Sequence, residues 1–143
     1  MQNQVVNILL VDDDEVDVMT ARRVFKKIGI SHPLFVARNG LEALEMLKGR
    51  EGQRPIIPLE NRLILLDLNM PKMGGIEFLQ VLRAEPELKS IPVVVLTTSA
   101  DERDRIQAYN HNVAGYLLKP MSMDDFAHTM SILNTYWMMC EMP

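Results

Sequence analysis

The groups in this chain that could do chemistry are carboxylates, hydroxyls and an ammonium, each set just after a short apolar run. Ile8-Leu9-Leu10-Val11 leads into Asp12-Asp13-Asp14, and Leu63-Ile64-Leu65-Leu66 leads into Asp67. Val93-Val94-Val95-Leu96 leads into Thr97-Thr98-Ser99, and Tyr116-Leu117-Leu118 into Lys119-Pro120. A continuous apolar run bounded by a breaker reads as a parallel strand buried on both faces. In open α/β sheets, ligands gather at the carboxyl ends of such strands. With the first and third strands as neighbours, as in the flavodoxin-like order 2-1-3-4-5, Asp12, Asp13 and Asp67 converge. Three carboxylates in one cleft repel each other, and some of their pKa values rise. A hard divalent cation relieves the conflict, and Mg²⁺ accepts a few carboxylates, a carbonyl and waters. The plainer alternative is that an Asp after a strand caps the next helix, and Asp14 fits that role. On the carboxylates alone the two readings weigh equally.

The hydroxyls and the lysine tip the balance. Taken singly, Thr97 and Thr98 are ordinary β-branched strand residues and Lys119 is a solvated charge. Four strands that all end in polar groups at one edge are harder to explain that way. Three carboxylates carry −3, and Mg²⁺ with Lys119 carries +3. A pocket so neutralised can accept a phosphoryl group, with the cation, Lys119 and a Thr hydroxyl around its equatorial oxygens. Asp67 is then the nucleophile, and the product an aspartyl phosphate.

Five strands alternate with five helices to position these groups. The strands are predicted at 7–11, 34–37, 63–66, 93–96 and 115–118. After Asp14, the residues Val18, Ala21, Phe25 and Ile28 recur on one helix face, and Gly29 ends that helix. A second helix is predicted from Gly40 to Lys48. A third runs from Ile76 to Ala84 with Phe78, Leu79 and Leu82 inward, and stops before Pro86. A fourth runs from Asp101 to Asn110. The fifth starts at Ser122, with Asp125 completing an approximate capping box. Its Phe126, Met130, Leu133 and Trp137 share a face. This alternation means an α/β fold with right-handed crossovers. The stretch from Gly49 to Arg62, with Pro55 and Pro58, reads as an extended loop, and loops that long usually have a use.

Composition sets the outer bounds. The 143 residues suit one domain with a sizeable core. No apolar stretch nears the ~20 residues of a membrane span. Met1-Gln2-Asn3-Gln4 lacks the basic start of a secretory signal. The lone Cys140 excludes an internal disulfide and fits a reducing, cytoplasmic setting. A net charge of −4 argues against nucleic acid as a partner.

Together these residues resemble the CheY-like response-regulator receiver domains, over essentially the whole chain. The matching pieces are Asp12-Asp13, Asp67 with Asn69-Met70-Pro71 and Gly75, Thr97, and Lys119-Pro120. The resemblance implies one receiver domain over residues 1–143. It also implies a flavodoxin-like, five-stranded parallel sheet of order 2-1-3-4-5 flanked by five helices. Asp67 would take a phosphoryl group from the phosphohistidine of a sensor histidine kinase or from a phosphotransfer protein. Asp13, Asp67 and the Asn69 backbone carbonyl would hold Mg²⁺, with Asp12 acting through a coordinated water. Thr97 would grip the phosphoryl oxygen and Lys119 would bridge to it. Tyr116 matches the family's switch aromatic; without the resemblance it is a strand residue with a half-buried ring. The chain is similar to single-domain receivers with no output module. The Gly49 to Arg62 loop and Leu96-Thr97-Thr98-Ser99 resemble the subgroup that works with phytochrome-type kinases. Asn69 and Ser99, at the positions that tune hydrolysis in the family, imply an intermediate phosphoryl lifetime.

Competing functions fit less well. A haloacid-dehalogenase-type phosphohydrolase needs a second Asp where Asn69 stands. A flavin site in the first loop would meet three carboxylates. An adaptor that keeps only the fold has no need of Asp12, Asp13, Asp67, Thr97 and Lys119 together. For partner surfaces, the polar fourth helix and the apolar tail from Tyr136 to Met142 stand out. The reading of the tail is that Trp137 closes the core while the rest frays; its alternative is an adaptable contact surface. The resemblance adds homodimerisation through the fourth helix, fifth strand and fifth helix.

Overall fold

A computed structural model describes residues 5–143. The Met1-Gln2-Asn3-Gln4 start lies outside the described residues. In chain order the elements are β1 (Asn7–Val11), α1 (Glu15–Lys27), β2 (Leu34–Ala37), α2 (Gly40–Lys48), β3 (Arg62–Leu66), α3 (Gly75–Ala84), β4 (Val93–Thr97), α4 (Glu102–Asn110), β5 (Gly115–Leu118) and α5 (Met123–Met139). The strands form one parallel sheet of order β2-β1-β3-β4-β5. Both the element types and the order expected from the sequence are present.

Alternation along each strand divides the core into two layers. Leu9 and Val11 of β1, with Ile64 and Leu66 of β3 and Val93 and Val95 of β4, pack on Ala43, Leu47, Phe78, Leu79, Leu82 and Ala108 of α2, α3 and α4. Ile8 and Leu10, with Leu63, Leu65, Val94 and Leu96, pack on Ala21, Val24, Phe25, Phe126, Met130 and Trp137 of α1 and α5. The three central strands are apolar at every interior position because both of their faces are covered.

All the helices but α3, which follows Gly74, start where a short polar side chain accepts a free amide proton. Asp14 accepts from the Val16 amide at 2.8 Å and Asn39 from the Glu42 amide at 2.9 Å. Asp101 accepts from the Arg103 amide at 2.8 Å and Ser122 Oγ from the Asp125 amide at 3.1 Å. Asp101 is thus the cap of α4 rather than its first residue. α3 begins at Gly75, one residue before the expected start, and β4 runs on to Thr97.

Two expectations need correction. The chain after Trp137 does not fray at once: α5 continues to Met139, and Cys140 and Met142 pack against the α1/α5 layer. Their apolar side chains give the end of the chain a reason to stay docked. The α2–β3 loop also ends one residue early, because Arg62 opens β3. Arg62 is buried and donates to the carbonyls of Leu47, Ile57 and Pro58 at 2.7–2.9 Å. With the buried Ile57, this guanidinium pins the loop to the amino ends of the strands.

Candidate functional site

Register brings the acidic groups together. β1 and β3 pair with Val11 opposite Leu66, and the Asp67 amide donates to the Val11 carbonyl at 2.9 Å. Asp12 and Asp67 therefore leave adjacent strands side by side. Carboxylate oxygens of Asp12, Asp13 and Asp67 lie within 4.8 Å of one another. Asp12 and Asp67 are buried, while Asp13 faces solvent. Asp14 points elsewhere, as the cap of α1.

Thr97 and Lys119 bracket Asp67. The Thr97 hydroxyl, fully buried, donates to Asp67 Oδ1 at 2.9 Å. Lys119 Nζ lies 3.3 Å from Asp67 Oδ2 and 3.0 Å from Asp12 Oδ2. β5 delivers Lys119 there by pairing Leu118 with Thr97, and the Lys119 amide continues the ladder to the Thr97 carbonyl at 2.8 Å. Asn69 is exposed in the loop after β3, two residues beyond Asp67. That loop turns sharply: Lys72 and Met73 have φ of 49° and 69°. Gly75 then enters α3 against it, where a Cβ would come within 2.7 Å of the Asp67 carbonyl oxygen and Leu68 Cα. Only glycine allows α3 to start so close to the site.

Tyr116 stands in the middle of β5 with a half-buried ring packed against the α2/α3/α4 layer. Its hydroxyl donates to the Ser99 carbonyl at 2.8 Å. The Ser99 amide in turn donates to Thr97 Oγ1 at 3.3 Å, and Ser99 Oγ donates to Asp104 of α4 at 2.6 Å. One residue of the β4–α4 loop thus touches the site threonine, the strand tyrosine and the next helix. This relay was not legible in the sequence.

One charged group was missed. Lys119 Nζ makes its shortest contact, 2.5 Å, with Asp17 in the first turn of α1. The count of three carboxylates against Lys119 therefore omits a fourth. Its only sequence signal is an acidic residue at a helix start, which the helix dipole already accounts for.

The electrostatics follow from this crowding. Burial pushes the Asp12 carboxyl up to about 6, against the lowering pull of the Asp14 amide and of Lys119. For Lys119, burial alone would lower the pKa. Hydrogen bonds to Asp17 and Asp12 outweigh it and hold the ammonium well above its ordinary range. One ammonium does not neutralise Asp12, Asp13, Asp17 and Asp67. The donor set, hard oxygens close together and short of positive charge, fits a divalent cation.

An α/β sheet of this order, with an acidic cluster, a threonine and a lysine on its carboxyl edge, defines a CheY-like flavodoxin fold with a receiver-type site. Residues 8–131 match the response regulator receiver domain, and the chain belongs to that family. It is 40% identical over 131 residues to the response regulator Rcp1 of Synechocystis, covering 92% of this chain and 88% of Rcp1. It is 38% identical over 131 residues to the probable methanogenesis regulatory protein FilR2 of Methanothrix harundinacea, covering 92% and 83%. Among solved structures, the Mn²⁺-bound form of Rcp1 superposes with a TM-score of 0.80 at 37% identity, covering 96% of this chain and 99% of that one. The phosphorylated cyanobacterial phytochrome response regulator RcpA gives 0.83 at 30% identity, covering 98% and 99%. Receiver domains are signalling modules that bind a divalent metal and work with a histidine kinase or phosphotransfer partner, and this chain is one of them. Among the described residues, no helix is long and apolar enough to cross a membrane.

Proposed function

We propose that Asp67 is the phosphoacceptor of this response regulator. The observation that carries the reading is the bracketing of its two oxygens, Oδ1 by the Thr97 hydroxyl and Oδ2 by the Lys119 ammonium. Both donors stand beside the nucleophile, within reach of the phosphoryl oxygens that carry the negative charge during transfer. A carboxylate oxygen of Asp67 attacks phosphorus, and the bond from phosphorus to the donor's imidazole nitrogen breaks. The leaving imidazole keeps the bonding pair and an acyl phosphate forms. Lys119 shifts from the bare carboxylate toward the new phosphoryl oxygens. The Thr97 hydroxyl, already at Asp67, turns to one of them.

Asp13, Asp67 and the Asn69 carbonyl would hold Mg²⁺, with Asp12 acting through a coordinated water, and the ion would supply charge neutralisation at the phosphoryl oxygens. Turning Thr97 loosens the Ser99 amide, and Tyr116 and Asp104 are both tied to Ser99. We read Tyr116 as the switch residue on that ground. The domain catalyses only its own phosphorylation and dephosphorylation, in the cytoplasm. A phytochrome-type kinase is the favoured donor, supported by the likeness to Rcp1 and RcpA. A homodimer through α4, β5 and α5 is supported by the exposed apolar Ile106, Tyr109 and Leu118 on that side.

Incubation with Mg²⁺ and acetyl phosphate, followed by intact mass measurement, tests the assignment. The wild type should gain one phosphoryl group and Asp67→Asn none. Modification that persists in Asp67→Asn would show that the wrong nucleophile has been named.

A further inference from the structure

Lys119 is held more closely by Asp17 than by either site carboxylate. The distances are 2.5 Å to Asp17, 3.0 Å to Asp12 and 3.3 Å to Asp67. Asp17 stands at the rim, with its side chain about a third exposed, while those of Asp12 and Asp67 are almost fully buried. It belongs to α1 and Lys119 to the end of β5, so the pair joins two elements 102 residues apart in sequence. Asp17 lies outside the trio of carboxylates close enough together to share a cation. Its geometry serves the ammonium alone.

We propose that Asp17 is a positioning residue that restrains Lys119 in the unphosphorylated protein, so that an incoming phosphoryl group must win the ammonium from it. An ammonium has three donor protons, and here they face three carboxylates. Bridging to a phosphoryl group on Asp67 requires at least one of these contacts to be given up. The Asp12 and Asp67 contacts belong to the cluster that would receive the phosphoryl group. The Asp17 contact ties the ammonium to α1. The cost of releasing it lowers the affinity of the site for phosphoryl-like anions, and the release unties α1 from β5. The inference rests on the assignment of Asp67 and Lys119 above.

The test is beryllofluoride affinity in the presence of Mg²⁺, followed by amide NMR titration of the full chain. Asp17→Asn should bind about three- to tenfold more tightly, the size expected for a partly exposed ion pair. Asp17→Glu should restore near wild-type affinity. In a Lys119→Ala background, Asp17→Asn should have no effect. Unchanged or weaker binding by Asp17→Asn overturns the proposal. So does a gain that survives in Lys119→Ala, which would mean general charge repulsion instead of restraint. A second readout needs no metal: thermal melts in a chelator should show Asp17→Asn and Lys119→Ala to be non-additive. Additivity there also overturns the pairing. Wild-type protein that ignores beryllofluoride would sink the Asp67 assignment itself, which separates the two failures.

Discussion

The two edges of the sheet both bury charge, and they do so in opposite ways. At the carboxyl edge, Asp12, Asp17 and Asp67 surround one ammonium, Lys119, with Asp13 close to Asp12 and Asp67. At the amino edge, cationic side chains meet backbone carbonyls. Arg62 donates to Leu47, Ile57 and Pro58, and Arg83 to Lys89, Ile91, His111 and Asn112. Asn7 joins them by donating to the Glu60 carbonyl at 2.8 Å. A carbonyl is a neutral, fixed acceptor, so the amino edge is satisfied whatever the ligand state. The carboxyl edge has more like charge than it can neutralise and stays responsive to added cations and anions. Fixed acceptors secure stability at the amino edge, and the uncompensated carboxylates leave the carboxyl edge open to ligands.

The sharpest way to break this contrast is at Arg62. Arg62→Ala leaves three carbonyls without their donor beneath a buried loop, and should cost about 3–5 kcal/mol in urea unfolding. Cation affinity per folded molecule should be unchanged; a large fall would mean that the edges are coupled. Next in size is Lys119→Met, which strips the acidic edge of its ammonium. It should lose about 2–4 kcal/mol in a chelator, with much of the loss restored by saturating Mg²⁺. No comparable rescue by Mg²⁺ should be seen for Arg62→Ala.

Acid offers a smaller and reversible probe. The folded pKa of Asp12 is about 6, above its unfolded value of 3.8. The folded state therefore binds more protons between those values. The resulting stability is fully present below 3.8 and is lost as pH rises through about 6. Metal-free protein should gain about 1 kcal/mol from this group between pH 7 and 5, and Mg²⁺ affinity should fall over the same range. Asp12→Asn should flatten both profiles. An effect of similar size belongs to Asp14→Ala, which removes a helix cap worth about 1 kcal/mol. Phosphorylation by acetyl phosphate should proceed as before, separating Asp14 from its two acidic neighbours.

Much of this could be read before any coordinates. Apolar runs such as Leu63 to Leu66 announce doubly covered strands, and the polar residue after each run marks the sheet's carboxyl edge. Asp12, Asp13, Asp67, Thr97 and Lys119 all lie on that edge as expected. The roles of Asp17, Arg62 and Arg83, and the ties that Ser99 makes, went unread for a common reason. Their partners are backbone carbonyls or distant side chains, and neither leaves a periodic mark in the chain. The docked end of α5 was underestimated because Cys140 and Met142 find their neighbours only in tertiary packing.

By itself, then, the sequence determined the alternation of strands and helices and the residue types at each strand end, because burial on one or both faces dictates local pattern. Tertiary structure alone decided which carboxylates share Lys119 and which carbonyls the arginines grip. It also decided how Ser99 ties Thr97 to Tyr116. Those pairings depend on distances between groups that the chain brings together only when the five strands are in register.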